Sequence, residues 1–167
     1  MRILTLDQAL QTTAWACFDG KKLVNYGEFT IKKNLPIEAR LYQIQQNLMG
    51  VINENYDGSQ PDMIVFEGVQ QQTNIETFHK LSMVQAAVYL LAYNLDIKTK
   101  VLSPSEWRAI NSENSKLFKY GRKREEQKQV AIQKVKEWYK IDVDSDIADA
   151  INIGHAFIAS GKTSKAF

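Results

Sequence analysis

The sequence predicts an α/β fold: a five-stranded mixed sheet, three antiparallel strands then two parallel ones, flanked by helices on both faces. Three observations predict it. Three strand-like runs open the chain with short connections between them. Helical apolar spacing then takes over. Two further short strand-like runs alternate with helices in βαβ fashion, and a right-handed crossover sets them parallel to the first strand. The length of 167 residues makes 1–167 a single domain by default.

The elements follow in order. "RILTLD" (2–7) is a short apolar run ending in an acid, and "TTAWACF" (12–18) is β-branched and aromatic. "DGKK" (19–22) carries a hairpin signal, and "LVNYGEFTI" (23–31) continues as a third strand. After Pro36, apolar residues at Ile37, Leu41, Ile44, Leu48 and Val51 fall at helical spacing until Asp57, Gly58 and Pro61 break it. "MIVF" (63–66) is a fourth strand. A helix over about 74–94 carries Phe78, Leu81, Val84, Val88 and Leu91 on one stripe. "IKTKVL" (97–102) alternates as a fifth strand, and Ser103-Pro104-Ser105-Glu106 is a capping box opening a short helix through Trp107. Residues 111–122 read as a loop, followed by helices over about 123–139 and 146–159.

Composition is that of an ordinary globular chain, 44% hydrophobic and 24% charged, and a net charge of +2 does not announce a nucleic-acid binder. One cysteine, Cys17, excludes an internal disulfide framework and fits a reducing, cytoplasmic setting. No run of 18 apolar residues exists to span a membrane, and the strand-like "MRILTLD" start is not a signal peptide.

The acids carry the chemistry. Glu67 ends an apolar run, where a lone carboxylate is costly unless paired or bound to a cation. Asp7 ends the first strand in the same way. If strands one and four are parallel neighbours, both acids meet at the carboxyl ends of the strands, where α/β sheets bind ligands. In "DVDSDIADAINIG" (142–154), Asp146 and Asp149 are spaced i, i+3 and share a helix face. Two readings stand for that pair: favourable contact with the positive end of the helix dipole, or ligation. Asp142 and Asp144 read as capping or loop acids. Two histidines and one cysteine exclude a zinc pattern, so an all-oxygen set of Asp7, Glu67, Asp146 and Asp149 points to Mg²⁺ or Mn²⁺. Four carboxylates suffice for two such ions roughly 4 Å apart, an arrangement suited to in-line phosphodiester hydrolysis.

This ordered set resembles the RuvC family of Holliday junction resolvases, within the ribonuclease H-like superfamily. "ILTLDQALQTTAWA" (3–16), "PDMIVFEGV" (61–69), "HKLSMVQAAVYLLAYNLDIKTKVLSPSEWR" (79–108) and "DSDIADAINIGHAF" (144–157) carry the likeness. The resemblance implies that Asp7, Glu67, Asp146 and Asp149 are metal-binding catalytic acids. It further implies a homodimer and a four-way DNA junction as substrate, with no membrane and no nucleotide cofactor. The compact length is more like the bacteriophage-type resolvases, which would place the protein in a bacterial host's cytoplasm. Asp7 is followed by Gln8 and Ala9 where the cellular pattern has Pro-Gly. Gln70 stands where an aromatic often follows the glutamate.

"KLFKYGRKREEQK" (116–128) is the one dense basic stretch. It reads either as a solvated helix start or as a phosphate-binding surface made by Lys116, Lys119, Arg122, Lys123 and Arg124. The resemblance places the family's active-site lysine at Lys128, with Lys123 or Arg124, one to two turns earlier, as the alternatives. Trp15, Trp107 and Trp138 read as core aromatics, Phe78 as core rather than a base-stacking residue, and His155 as packing or surface. Two other functions fit parts of the sequence. "LTLDQALQTTAW" (4–15) also resembles the first phosphate loop of actin-like kinases and ATPases, but the chain lacks their second glycine-rich loop. A branched-DNA-binding protein with a dead site is the other alternative.

Overall fold

The structure, a computed structural model, describes residues 1–70, 74–113, 120–121 and 123–161. Five strands form one sheet: β1 (Arg2–Asp7), β2 (Thr12–Asp19), β3 (Lys22–Thr30), β4 (Met63–Glu67) and β5 (Lys98–Leu102), in the order β3-β2-β1-β4-β5. β1, β2 and β3 are antiparallel, and β4 and β5 run parallel to β1. The β2–β3 hairpin closes through Gly20 at φ 57°, a conformation that glycine adopts without penalty. The sheet is the mixed ribonuclease H-like one that the sequence predicts.

Among the described residues, five helices cover it: α1 (Ile37–Asn55), α2 (Ile75–Asn94), α3 (Pro104–Glu113), α4 (Arg124–Tyr139) and α5 (Ser145–Ala159). None in the described residues is long and apolar enough to cross a membrane. Each face of the sheet has its own core. Leu4, Leu6, Ile64 and Phe66 pack with Ile44, Leu48, Val84 and Val88 of α1 and α2. Ile3, Met63 and Val65 pack with Trp107, Ala131, Val135 and Ile151 of α3, α4 and α5. Strand side chains alternate between these two cores, which fixes where each strand-end acid points.

α5 lies tight on the sheet. A Cβ on Gly154 would come within 2.9 Å of the Thr5 methyl group, so only glycine permits this approach. Thr5 Oγ1 donates to the Ala150 carbonyl at 2.7 Å, tying the middle of β1 to the helix. Asp144 caps α5, its Oδ1 accepting from Asp146 N and Ile147 N at 3.1 and 2.9 Å. Asp142 pairs with Lys136 at 2.7 Å. Both acids are therefore the local ones the sequence suggests.

Two expectations fail. α3 continues to Glu113, so residues 111–113 are helical rather than loop. The polar run Asn111-Ser112-Glu113 hides a buried residue: Asn111 donates to the Asn152 carbonyl at 2.9 Å, and that contact holds the last turn. Phe78 is only half-buried and belongs to neither core. The buried stripe of α2 is Val84, Ala87, Val88, Leu91 and Ala92, confined to the part of the helix that lies over the sheet.

Candidate active site

β1 and β4 pair with Leu6 opposite Phe66. Asp7 and Glu67 therefore stand one step further along two neighbouring parallel strands. Leu6 and Phe66 point to the α1/α2 core, so by alternation Asp7 and Glu67 point to the opposite face, where α5 carries Asp146 and Asp149. Asp7 feels the other three acids. Burial pushes the Asp7 carboxyl well above its usual range, and Asp149, Glu67 and Asp146 push it further. Asp149 is raised to about 7, first by burial and then by Glu67, with Asp146 adding and Arg108 opposing. Glu67 is raised by burial, against the Trp107 hydrogen bond and the Arg108 charge. Even Glu28 on β3, raised first by burial, responds to Asp144 and Asp146.

A shallow cleft of about 80 Å³ opens beside Asp7 and Glu67, lined also by Gln8, Gly68, Gln70 and Leu81. Gln8 spans the two strand ends: its amide nitrogen donates to the Glu67 carbonyl at 2.6 Å. Its Oε1 is buried without a hydrogen-bond partner among the described residues. Among the described residues, no three His, Cys, Asp or Glu side chains close together as a metal cage, so the single cage expected from the sequence is not formed as the side chains stand. The donors nevertheless suit a hard divalent cation. They are all oxygens, they repel one another, and the orphaned Gln8 oxygen lies in the same cleft wall.

Two cations that the structure does describe face these acids. Arg108 on α3 lowers Asp7, Glu67 and Asp149 alike. Its guanidinium stacks 4.6 Å from the Trp107 ring. The sequence reading missed it, because one arginine on a short helix carries no pattern. Lys128 on α4, singled out from the sequence, lowers Asp149 and is half-buried. Lys123 and Arg124 are exposed at the start of α4. Lys116, Lys119 and Arg122 lie outside the described residues. Trp107 is fully buried, as expected of a core aromatic, but its indole N–H donates to Glu67 Oε2 at 2.7 Å. His155 stacks on Trp138 at 3.7 Å and bonds the Tyr139 hydroxyl, away from the acids.

The raised carboxyls have a thermodynamic consequence. The folded chain holds these protons more tightly than the unfolded one, so the stability they contribute is full below about pH 4 and is lost as pH rises through about 7. In chelator, the melting temperature is expected to fall between about pH 5 and about pH 8. Mg²⁺ should restore it at the upper end by taking the protons' place. Asp149→Asn should flatten the slope. A melting temperature independent of pH in chelator, measured by scanning calorimetry, would remove the case for mutually repelling acids.

Sequence comparison finds relatives over nearly the whole chain. A crossover junction endodeoxyribonuclease RuvC of Akkermansia muciniphila is 27% identical over 172 aligned positions, covering 99% of this chain and 95% of the relative. Another from Dictyoglomus thermophilum is 25% identical, covering 81% and 80%. No protein-family model matches. Thermus thermophilus RuvC in complex with a Holliday junction substrate superposes with TM-score 0.73 at 13% identity, covering 98% of this chain and 96% of that one. Over nearly its whole length the chain is thus similar to RuvC-type resolvases. The yeast mitochondrial Holliday junction resolvase, TM-score 0.70 at 13% identity, covers 99% of this chain and 81% of its own and shares the fold. The likeness to RuvC proteins and the topology of the sheet agree, with Asp7 and Glu67 at adjacent strand ends and α5 on the same side.

Proposed function

We propose that this RuvC-like chain is a metal-dependent, structure-selective DNA endonuclease that resolves Holliday junctions and other branches by phosphodiester hydrolysis. The observation that carries the reading is the placement of Asp7 and Glu67 at the carboxyl ends of neighbouring parallel strands, on the face where α5 carries Asp146 and Asp149, with all three of those acids acting on Asp7. Mg²⁺, with Mn²⁺ as substitute, would be held by these four carboxylates. It would supply an activated water and offset charge on the leaving oxygen. Water is the nucleophile, and no covalent enzyme intermediate forms. Lys128 stands beside Asp149 as a cation for charge that builds on the phosphate. Lys116, Lys119, Arg122, Lys123 and Arg124 supply phosphate contacts whose contribution falls with salt.

The test is cleavage of synthetic four-way, three-way and flap DNAs by the purified protein. Paired cuts in the four-way junction are expected with Mg²⁺ and none without it. Junction binding without cutting in either condition would favour the alternative, a branched-DNA-binding protein, for which the open arrangement of the acids speaks.

A substrate needing two symmetric cuts suits a two-fold homodimer. α2 offers the surface: Met83, Leu90 and Tyr93 are 45%, 59% and 83% exposed and recur at helical spacing, with Ile75 at 61% nearer its start. Apolar side chains of this size left exposed at helical spacing suit burial against a second copy. Leu90→Glu is expected to convert a dimer to a monomer in sedimentation equilibrium. A monomeric wild type at micromolar concentration would end this part of the proposal.

A further inference from the structure

We infer that Trp107 is a positioning residue for Glu67, its indole N–H holding Oε2 and leaving Oε1 for a divalent cation. This rests on the reading of the four acids as a cation site.

The chain places the two groups together at its first opportunity. Glu67 pairs with Leu102, the last residue of β5, and the Gly68 amide donates to the Leu102 carbonyl at 2.8 Å. α3 then starts at once, with the Ser103 hydroxyl accepting from Glu106 N at 3.2 Å. The first turn of α3 therefore stands beside the end of β4, and Trp107 is the residue it delivers there. Its side chain is fully buried, so its single polar hydrogen needs an acceptor. Glu67, at the end of an apolar strand, needs a donor. The 2.7 Å bond meets both needs.

The indole is also held from its other sides. Tyr120 meets it edge-on, with ring centroids 5.5 Å apart and planes at 89°. Tyr120 is itself fixed by its hydroxyl, which donates to Asn152 Oδ1 at 3.0 Å. The Arg108 guanidinium lies 4.6 Å from the indole ring. With its surroundings fixed, the N–H direction is fixed, and so is the rotation of the Glu67 carboxylate. A metal ligand oriented in this way loses less freedom on binding, and such partners typically govern about 10- to 100-fold in metal affinity.

The experiment is a ¹⁵N NMR titration with Mg²⁺ alone, in the absence of DNA. Three tryptophans give three indole N–H signals, and Trp107→Phe assigns one of them. In the wild type, the Trp107 indole signal is expected to shift with the same dissociation constant as the Asp7 and Asp149 backbone amides, while those of Trp15 and Trp138 stay still. In Trp107→Phe, the same amides should titrate with a dissociation constant about tenfold higher. Two results overturn the inference while leaving the cation site standing: an unmoved Trp107 indole signal in a wild type whose site amides respond to Mg²⁺, or a folded Trp107→Phe variant with unchanged affinity. If no site amide responds at all, the cation site and this inference fall together. Should the variant not fold, the wild-type titration decides alone, with the tryptophans assigned through the backbone.

Discussion

Asp7→Asn is expected to abolish strand cleavage while leaving the protein folded and able to bind a four-way junction. All three partner acids act on Asp7, which makes it the centre of the cluster's repulsion. Its carboxyl ends the central strand pair, beside Glu67 and across from α5. The amide keeps the shape and one oxygen but removes a charge, so on the proposed reading the affinity for a divalent cation should collapse. Loss of the cation that Asp7 would hold, whose charge would offset that of the phosphate, is expected to lower the cleavage rate by at least about 10²–10³-fold. Binding should survive, because phosphate contacts come from lysine and arginine, and one negative charge fewer lessens repulsion of the DNA. The metal-free variant should also melt higher than the wild type at alkaline pH, since a buried carboxylate has been taken from among three others. That combination separates chemistry from folding. Cleavage near the wild-type rate would show that Asp7 is no ligand. Loss of binding by a folded variant would show that it positions DNA instead.

Much of this site is legible in the sequence. An acid at the end of an apolar strand is an anomaly that single-residue energetics flags, as at Asp7 and Glu67. The period-2 alternation then fixes which face each acid takes once the strands are parallel. The i, i+3 spacing of Asp146 and Asp149 does the same for α5. The rest depends on long-range placement. Nothing in "PSEWRAI" (104–110) says that the indole of Trp107 points its N–H at Glu67, or that Arg108 turns toward three acids. Both facts follow from where β5 ends and how α3 lies against β4. Gln8 is similar: its departure from the family pattern is visible in the sequence, but the bridge to the Glu67 carbonyl and the orphaned Oε1 are not. The polar end of α3 reads as loop in the sequence because helix periodicity cannot signal a buried asparagine. Asn111 instead joins a network with Asn152, and the buried Lys134 ammonium donates to its carbonyl at 2.9 Å.

Arg108→Ala is expected to lower cleavage by about 10- to 100-fold without weakening Mg²⁺ binding. The direction of the second effect follows from charge. Arg108 lowers Asp7, Glu67 and Asp149, so it already offsets part of their repulsion. A divalent cation arriving among them meets that arginine as a like charge, and removing it leaves the site more negative. Metal affinity should therefore hold or tighten. The transition state responds in the opposite sense: negative charge grows on the phosphate, and a fixed guanidinium beside the acids stabilises it more than it stabilises the bound substrate. Arg108→Lys should recover only part of the rate, because an ammonium keeps the charge but loses the planar stacking on Trp107. Measuring single-turnover cleavage against Mg²⁺ concentration separates the two effects. A raised Mg²⁺ requirement at an unchanged maximal rate would mean that Arg108 serves to hold the carboxylates in place, and its charge would then have no part in the chemistry.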